Sequence, residues 1–423
     1  MESIRIHINR LGLIRNADIQ LTPLMVFSGE SGLGKSYLAI LCHYFFTIWL
    51  SETGLEPFFE GRGLNFHNAG SLPETPHNLV IKKNDLEQWL AKDAIRYMRY
   101  MLGHDNLAAD ITVQLPSVIP DDIVFAFAQE LVGLNNNTEI YYKLSALHLI
   151  YRFRQLGIGD ESPYSYLLRS GVIQELFGDF KNLADSFILP PSRGAVLSEK
   201  IIPKTGLYQS FIEDCDDLEK SQEMPDSVSP AILNNLKAVL NGSVRKESDS
   251  YIYETSDGES MPISAAASSV RELAPLQLLI TKNDISKMAI LIEEPESHLH
   301  PLKQRMTAEI IALMAMTKAN MQVTTHSDYF LGRLNDLIRL HILKSKMEPA
   351  EYDAFCSNND INGSLTLDPA LLSAYFLSRS DDGSVSVTRQ DSSRGIPFDT
   401  FETVNGKFMA DSSTLFEMTA DLD

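Results

Sequence analysis

The sequence predicts an α/β fold, a mixed sheet flanked by helices, and two observations carry that prediction. A short apolar run at 24–27 ends in the glycine-rich segment "GESGLGKS" (29–36), and an apolar stretch, "YLAILCHYFFTIWL" (37–50), follows at once. Far downstream a second apolar run, 289–292, ends in two consecutive acids, Glu293 and Glu294. Strand, loop and helix in alternation mark a layered α/β domain.

Composition narrows the class. At 423 residues the chain predicts one large domain with insertions, or two to three domains. Hydrophobic residues at 44% and charged residues at 22% are ordinary globular values. The net charge of −20, from 56 acidic and 36 basic residues, argues against a bulk-basic nucleic-acid binder. A local basic patch remains compatible with it. Cys42, Cys215 and Cys356 lie far apart, with no metal-knuckle or disulfide spacing, which fits a reducing cytoplasm. The N-terminus "MESIRIHINRLG" has no apolar signal core. The stretch 37–50 is shorter than the ~20 residues of a spanning helix and contains His43, so it reads as a buried core helix and no membrane is expected.

The elements follow in order. "SIRIHI", the alternating "ADIQL" and "LMVF" read as strands before the glycine loop. Residues 51–185 read as a largely helical insertion, with amphipathic "DLEQWLAKDAIRYMRYML", a second helix at "NTEIYYKLSALHLIYRFRQL" and one strand at "DITVQL". "SFILPPSRGAV" restores an extended run, and "SYIYE" and "MPIS" flank Asp257-Gly258 as a hairpin. A helix opens after Pro301 and leads into the strand-like "MQVTTHS". The core is therefore expected at 1–50 plus 186–345, with 346–423 as a small C-terminal subdomain.

The segment 29–36 satisfies G-x-x-x-x-G-K-[ST], the phosphate-binding loop of P-loop NTPases. Its spacing has a mechanism. Gly29, Glu30, Ser31, Gly32, Leu33 and Gly34 let consecutive backbone N–H groups wrap a phosphate at a helix N-terminus. Lys35 would reach the β/γ-phosphates, and Ser36 would hold magnesium (Mg2+). A parallel strand presents its C-terminal end to the ligand crevice, so Glu293 would stand at the metal side and Glu294 beside the attacking water as general base. His326, at the end of another strand-like run, suits contact with the γ-phosphate. His298, His300 and His326 raise zinc as a rival, but Pro295 and Pro301 bracket the His-x-His and favour simple loop positioning.

These motifs in this order resemble the ABC-type ATPase heads of the RecF, SMC and OLD families: a P-loop, a late "LIEEPESHLHP", then "TTHS". The resemblance implies ATP hydrolysis with magnesium, a D-loop at Ser297 to His300, and His326 as the switch histidine. It also implies a signature segment donated in trans to a partner copy's nucleotide, hence a homodimer or higher even-numbered homo-oligomer. "AASSVRELAPL" is the matching stretch, with Ser268 as signature serine and Ser269 beside it; Ser269 and Val270 replace the usual glycines. Gln88 and Gln114 stand as glutamine-loop candidates without distinguishing context. Arg193 reads as phosphate-sensing or structural, and the structural reading is preferred.

"LPPSRG" and "GIPFDTFETV" are similar to segments of stand-alone ATPases of bacterial anti-phage defence, of the Septu and PARIS kind. OLD enzymes continue into a Toprim nuclease. The residues after the last ATPase strand are too few for one, which implies a separately encoded, nuclease-like effector. A RecF-like DNA-repair or DNA-clamping head is the alternative. It needs a basic stripe, of which "KKND", "RYMRYM" and "YRFRQ" supply only fragments.

Overall fold

A computed structural model describes residues 3–64, 76–134, 137–154, 161–178, 183–197, 202–220, 228–247, 250–397 and 399–420. The chain opens with the hairpin β1 (Arg5–Leu11) and β2 (Ile14–Gln20), then β3 (Leu24–Gly29), the glycine loop and α1 (Lys35–Thr47). Next come α2 (Glu56–Glu60), β4 (His77–Lys82), α3 (Lys83–Leu102), β5 (Ala109–Gln114), β6 (Asp122–Leu134), β7 (Asn137–Ala146), β8 (Leu149–Phe153) and α4 (Pro163–Phe177). β9 (Asp185–Leu189) is followed by α5 (Gly206–Lys220), α6 (Pro230–Leu240), β10 (Gly242–Glu247), β11 (Ser250–Thr255), β12 (Ser260–Pro262) and α7 (Ser268–Lys282). β13 (Met288–Glu293), α8 (Pro301–Met316), β14 (Asn320–Thr324), α9 (Asp328–Lys346), α10 (Pro349–Asn358), β15 (Leu372–Arg379), β16 (Val385–Gln390) and α11 (Asp399–Ala420) complete it.

The main sheet has nine strands in the order β5-β1-β2-β16-β15-β3-β14-β13-β9. β15, β3, β14, β13 and β9 run parallel, while β5, β1 and β2 pair antiparallel at one end. Every residue of β3, β13 and β14 is buried, because both faces of a parallel sheet are covered. Alternate side chains therefore feed different cores. Met25, Phe27, Ala289, Leu291, Tyr375 and Leu377 pack on the α1 side. Leu24, Val26, Ile290, Ile292, Leu372 and Ala374 pack on the side of α6 to α9. The α/β P-loop NTPase fold with a mixed sheet is thus the fold observed.

α1 is buried from Leu38 to Phe46, as an all-round apolar helix should be, and His43 inside it bonds Gln322 of β14 through Nδ1 at 2.9 Å. Among the described residues, no helix is long and apolar enough to cross a membrane.

Two expectations are corrected. The insertion is not largely helical. "NTEIYYKLSALHLIYRFRQL" forms the hairpin β7–β8 within a second sheet, β4-β6-β7-β8, and β6 has no counterpart in the reading of the sequence. Aromatic and β-branched residues suit a pleated surface, and the alternation of Ile140, Tyr142 and Leu144 outweighs the helix-forming Leu and Ala nearby. The turn was hidden because Leu147 (φ 48°) and His148 (φ 65°) adopt left-handed conformations normally left to Asn or Gly. Leu147 is seated against Gly171 of α4, where any side chain would meet it at 2.8 Å.

Residues 346–423 are likewise no separate subdomain, since β15 lies between β16 and β3 inside the main sheet. β5, from the insertion, also joins that sheet through β1. The end of the helix reading, at 155–156, lies outside the described residues.

Candidate active site

Parallel pairing sets the site. Thr324 of β14 stands opposite both Phe27 of β3 and Glu293 of β13, so three strands end side by side. The loops leaving those ends carry the P-loop, the acids and His326 to one crevice. A cavity of about 490 Å³ opens there, lined by Ser31 to Tyr37, Glu294, Thr324 and His326. Leu11 to Ile14, the β1–β2 turn, closes its other side.

The P-loop needs glycine for two separate reasons. Gly29 has φ +129°, and a Cβ there would lie 2.3 Å from the Leu377 carbonyl oxygen of β15. Gly34 begins α1 with φ +94°, a left-handed conformation from which the helix N-terminus turns into the cavity.

Lys35 is buried. Its Nζ donates to the carbonyl oxygens of Gly29 at 2.9 Å and Glu30 at 2.8 Å, and stands 3.2 Å from His326 Nδ1. Burial lowers its pKa to about 8, opposed by the charges of Glu294, Glu296 and Glu293. Ser36 donates its hydroxyl to Glu293 Oε2. The other oxygen of Glu293, Oε1, is buried and unpartnered among the described residues. Burial pushes the Glu293 carboxyl up to about 7.

Glu294 is the contrasting acid. It reaches the cavity from a left-handed backbone (φ 45°), a strained conformation held by bonds from its N–H to the Thr324 carbonyl (3.0 Å) and hydroxyl (3.3 Å). Its Oε2 accepts from the Ser297 hydroxyl at 3.0 Å, and its Oε1 lies 3.5 Å from His326 Nε2. The His326 contact, then the Ser297 bond, hold its carboxyl below the ordinary range despite partial burial.

Arg193 is wholly buried. It donates to the backbone carbonyls of Glu272 (2.9 Å), Pro190 (3.1 Å), Glu293 (2.7 Å) and Glu294 (3.4 Å). Its guanidinium is a clamp tying the acid loop to α7, and it is not among the residues lining the crevice. Gly194 beside it lies so close to α7 that a Cβ would meet Arg271 at 2.9 Å.

The crevice thus brings together Lys35, Ser36, Glu293, Glu294 and His326, with Ser31 to Gly34 along its wall. Ser268 is exposed and Ser269 half-buried at the start of α7, and neither lines it. Gln88 lies on α3 and Gln114 at the end of β5, five strands from β3. His300 caps α8 through its ring, accepting from the Leu302 N–H at 3.4 Å. Among the described residues no group of three His, Cys, Asp or Glu is placed to hold a metal by itself. Sequence reasoning missed Glu296, Thr324, Thr325 and the β1–β2 turn, and it placed Ser297 in a D-loop without its bond to Glu294. The third acid of "EEPE" was the one available signal.

A donor set of one hydroxyl and one half-satisfied buried carboxylate suits magnesium bound together with phosphates. Residues 190–331, about a third of the chain, match a family of AAA ATPase domains. The match spans the acid loop and His326 and begins well after the P-loop. No curated protein matches the sequence.

Among solved structures, an SMC head bound to the C-winged-helix domain of ScpA is similar at 11% identity and TM-score 0.38, covering 92% of this chain and 96% of that one. An SMC head domain from Thermotoga maritima is similar at 11% identity and TM-score 0.34, covering 92% of this chain and 100% of that one. A Pyrococcus furiosus SMC head with an extended coiled coil, bound to the C-terminal domain of ScpA, is similar at 11% identity and TM-score 0.37, covering 97% of this chain and 100% of that one.

Proposed function

We propose that this protein binds and hydrolyses ATP in the crevice between the P-loop and the acid loop. The carrying observation is the convergence of Lys35, Ser36, Glu294 and His326 around one cavity beyond three adjacent strand ends, with Glu293 buried beneath it and bonded to Ser36. Lys35 would exchange its bonds to the Gly29 and Glu30 carbonyls for phosphate oxygens, a replacement that keeps its buried charge satisfied. Ser36 and Glu293 would hold magnesium, which supplies charge neutralisation at the phosphates. Glu294, ionised at neutral pH and open to the cavity, would orient the attacking water and take its proton. His326, between Lys35 and Glu294, would register whether the γ-phosphate is present.

Ser268, exposed, and Ser269, half-buried, lie outside this crevice at the start of α7, which favours their donation to a second copy. On this reading two copies close around two ATP molecules. The pair serves as a sensor or switch for a separately encoded effector, in bacterial anti-phage defence as the "LPPSRG" and "GIPFDTFETV" likenesses suggest.

Replacing Glu294 by Gln tests the core of the proposal. Hydrolysis should fall by roughly a hundredfold to ten-thousandfold while ATP still binds. Hydrolysis at the wild-type rate would remove Glu294 from the role of base.

A further inference from the structure

Glu296 lies two residues beyond Glu294 and carries none of the roles above. It is a carboxylate with only 8% of its surface exposed. Its Oε1 accepts from the Thr325 hydroxyl at 2.7 Å and from the His326 backbone N–H at 2.7 Å. Its Oε2 is buried and unpartnered among the described residues. Burying a carboxylate is costly unless its oxygens are paired, so its place calls for a reason.

The β13–β14 pairing ends with Glu293 opposite Thr324. Thr325 is held by its N–H to the Phe27 carbonyl at 3.0 Å. At His326 the sheet supplies no further acceptor, and Glu296 supplies one from the loop that also carries Glu294. With that backbone fixed, the imidazole stands 3.2 Å from Lys35 Nζ and 3.5 Å from Glu294 Oε1. Any displacement of the His326 backbone would move the imidazole relative to both Lys35 and Glu294.

We propose that Glu296 is the positioning residue for His326, holding the imidazole between Lys35 and Glu294 through the two bonds it accepts from Thr325 and His326. The proposal rests on the ATPase reading of this site and adds how the histidine is held. Acceptor geometry, more than negative charge, is what the position requires. Glu296→Gln keeps an acceptor oxygen at the same reach, whereas Glu296→Asp keeps the charge and withdraws it by one methylene.

The test is a steady-state ATPase series joined to a double-mutant cycle. Glu296→Ala and Glu296→Asp should lower kcat by about a hundredfold with KM for ATP little changed. Glu296→Gln should retain most of kcat. In a His326→Ala background, Glu296→Ala should slow hydrolysis no further, because the residue acts only through the histidine. Additive losses, or a Glu296→Asp enzyme as fast as Glu296→Gln, would overturn the proposal. Should Glu296→Ala not fold, the Gln and Asp variants decide it alone. A His326→Ala enzyme that hydrolyses at full rate would instead refute the role given to His326. A slow His326→Ala beside a fast Glu296→Ala would refute only the positioning role.

Discussion

Arg193 illustrates what a single side chain does here. Its guanidinium makes four bonds to backbone carbonyls from three segments: Pro190, Glu272 of α7, and the adjacent Glu293 and Glu294. Burial lowers its pKa, while Glu272 and the acids of the loop act to keep it charged. Arg193→Ala would strand those carbonyls in a dry interior, and should lower the unfolding free energy by roughly 3–5 kcal/mol in a urea titration. An unchanged stability with weakened ATP binding would instead make Arg193 a phosphate contact.

The sequence made Lys35, Ser36, Glu293, Glu294 and His326 legible for one reason. Each sits at a strand end, in the loop beyond one or in the helical turn that follows, within a motif whose spacing is dictated by phosphate chemistry. Glu296 was not legible, because its partners Thr325 and His326 come from another strand. Only the parallel pairing of β13 with β14 brings them within 2.7 Å.

At the scale of the element, α1 joins the P-loop to the core. Its buried apolar character was legible from composition alone, but the buried histidine inside it was not explained by the sequence. Burial holds His43 at a pKa of about 4, and the Gln322 bond offsets this only in part. Between about 4 and the ordinary value of 6.5 the unfolded chain binds a proton that the folded chain refuses. Stability from this group is therefore complete above 6.5 and lost as pH falls towards 4.

His43→Leu should be less stable at neutral pH, because Gln322 loses its partner. Its stability should fall less steeply with acid, by on the order of 3 kcal/mol across that window. Parallel profiles for the two proteins, followed by urea unfolding at stepped pH, would contradict the assignment. The β7–β8 hairpin shows the opposite limit of legibility. Its strands alternate as strands should, but its turn uses Leu147 and His148, and α4 rather than turn chemistry holds them there.

For the whole molecule, the sheet gathers strands from the beginning, middle and end of the chain. β15 beside β3 was invisible in sequence, since its neighbour lies more than 340 residues away. The contact is fixed by a glycine that leaves room for the Leu377 carbonyl. This arrangement places the crevice at the sheet's parallel end and leaves the start of α7 exposed, outside the cavity it is proposed to complete on a second copy.

The central claim is that ATP closes two copies around shared sites, and sedimentation of the Glu294→Gln protein measures it directly. Without nucleotide the protein should sediment near its monomer mass of 47.3 kDa, and with ATP and magnesium at an even multiple of it. Adding Ser269→Arg, at the start of α7, should abolish that shift while leaving ATP binding intact. A protein that binds ATP yet keeps its monomer mass would contradict the account.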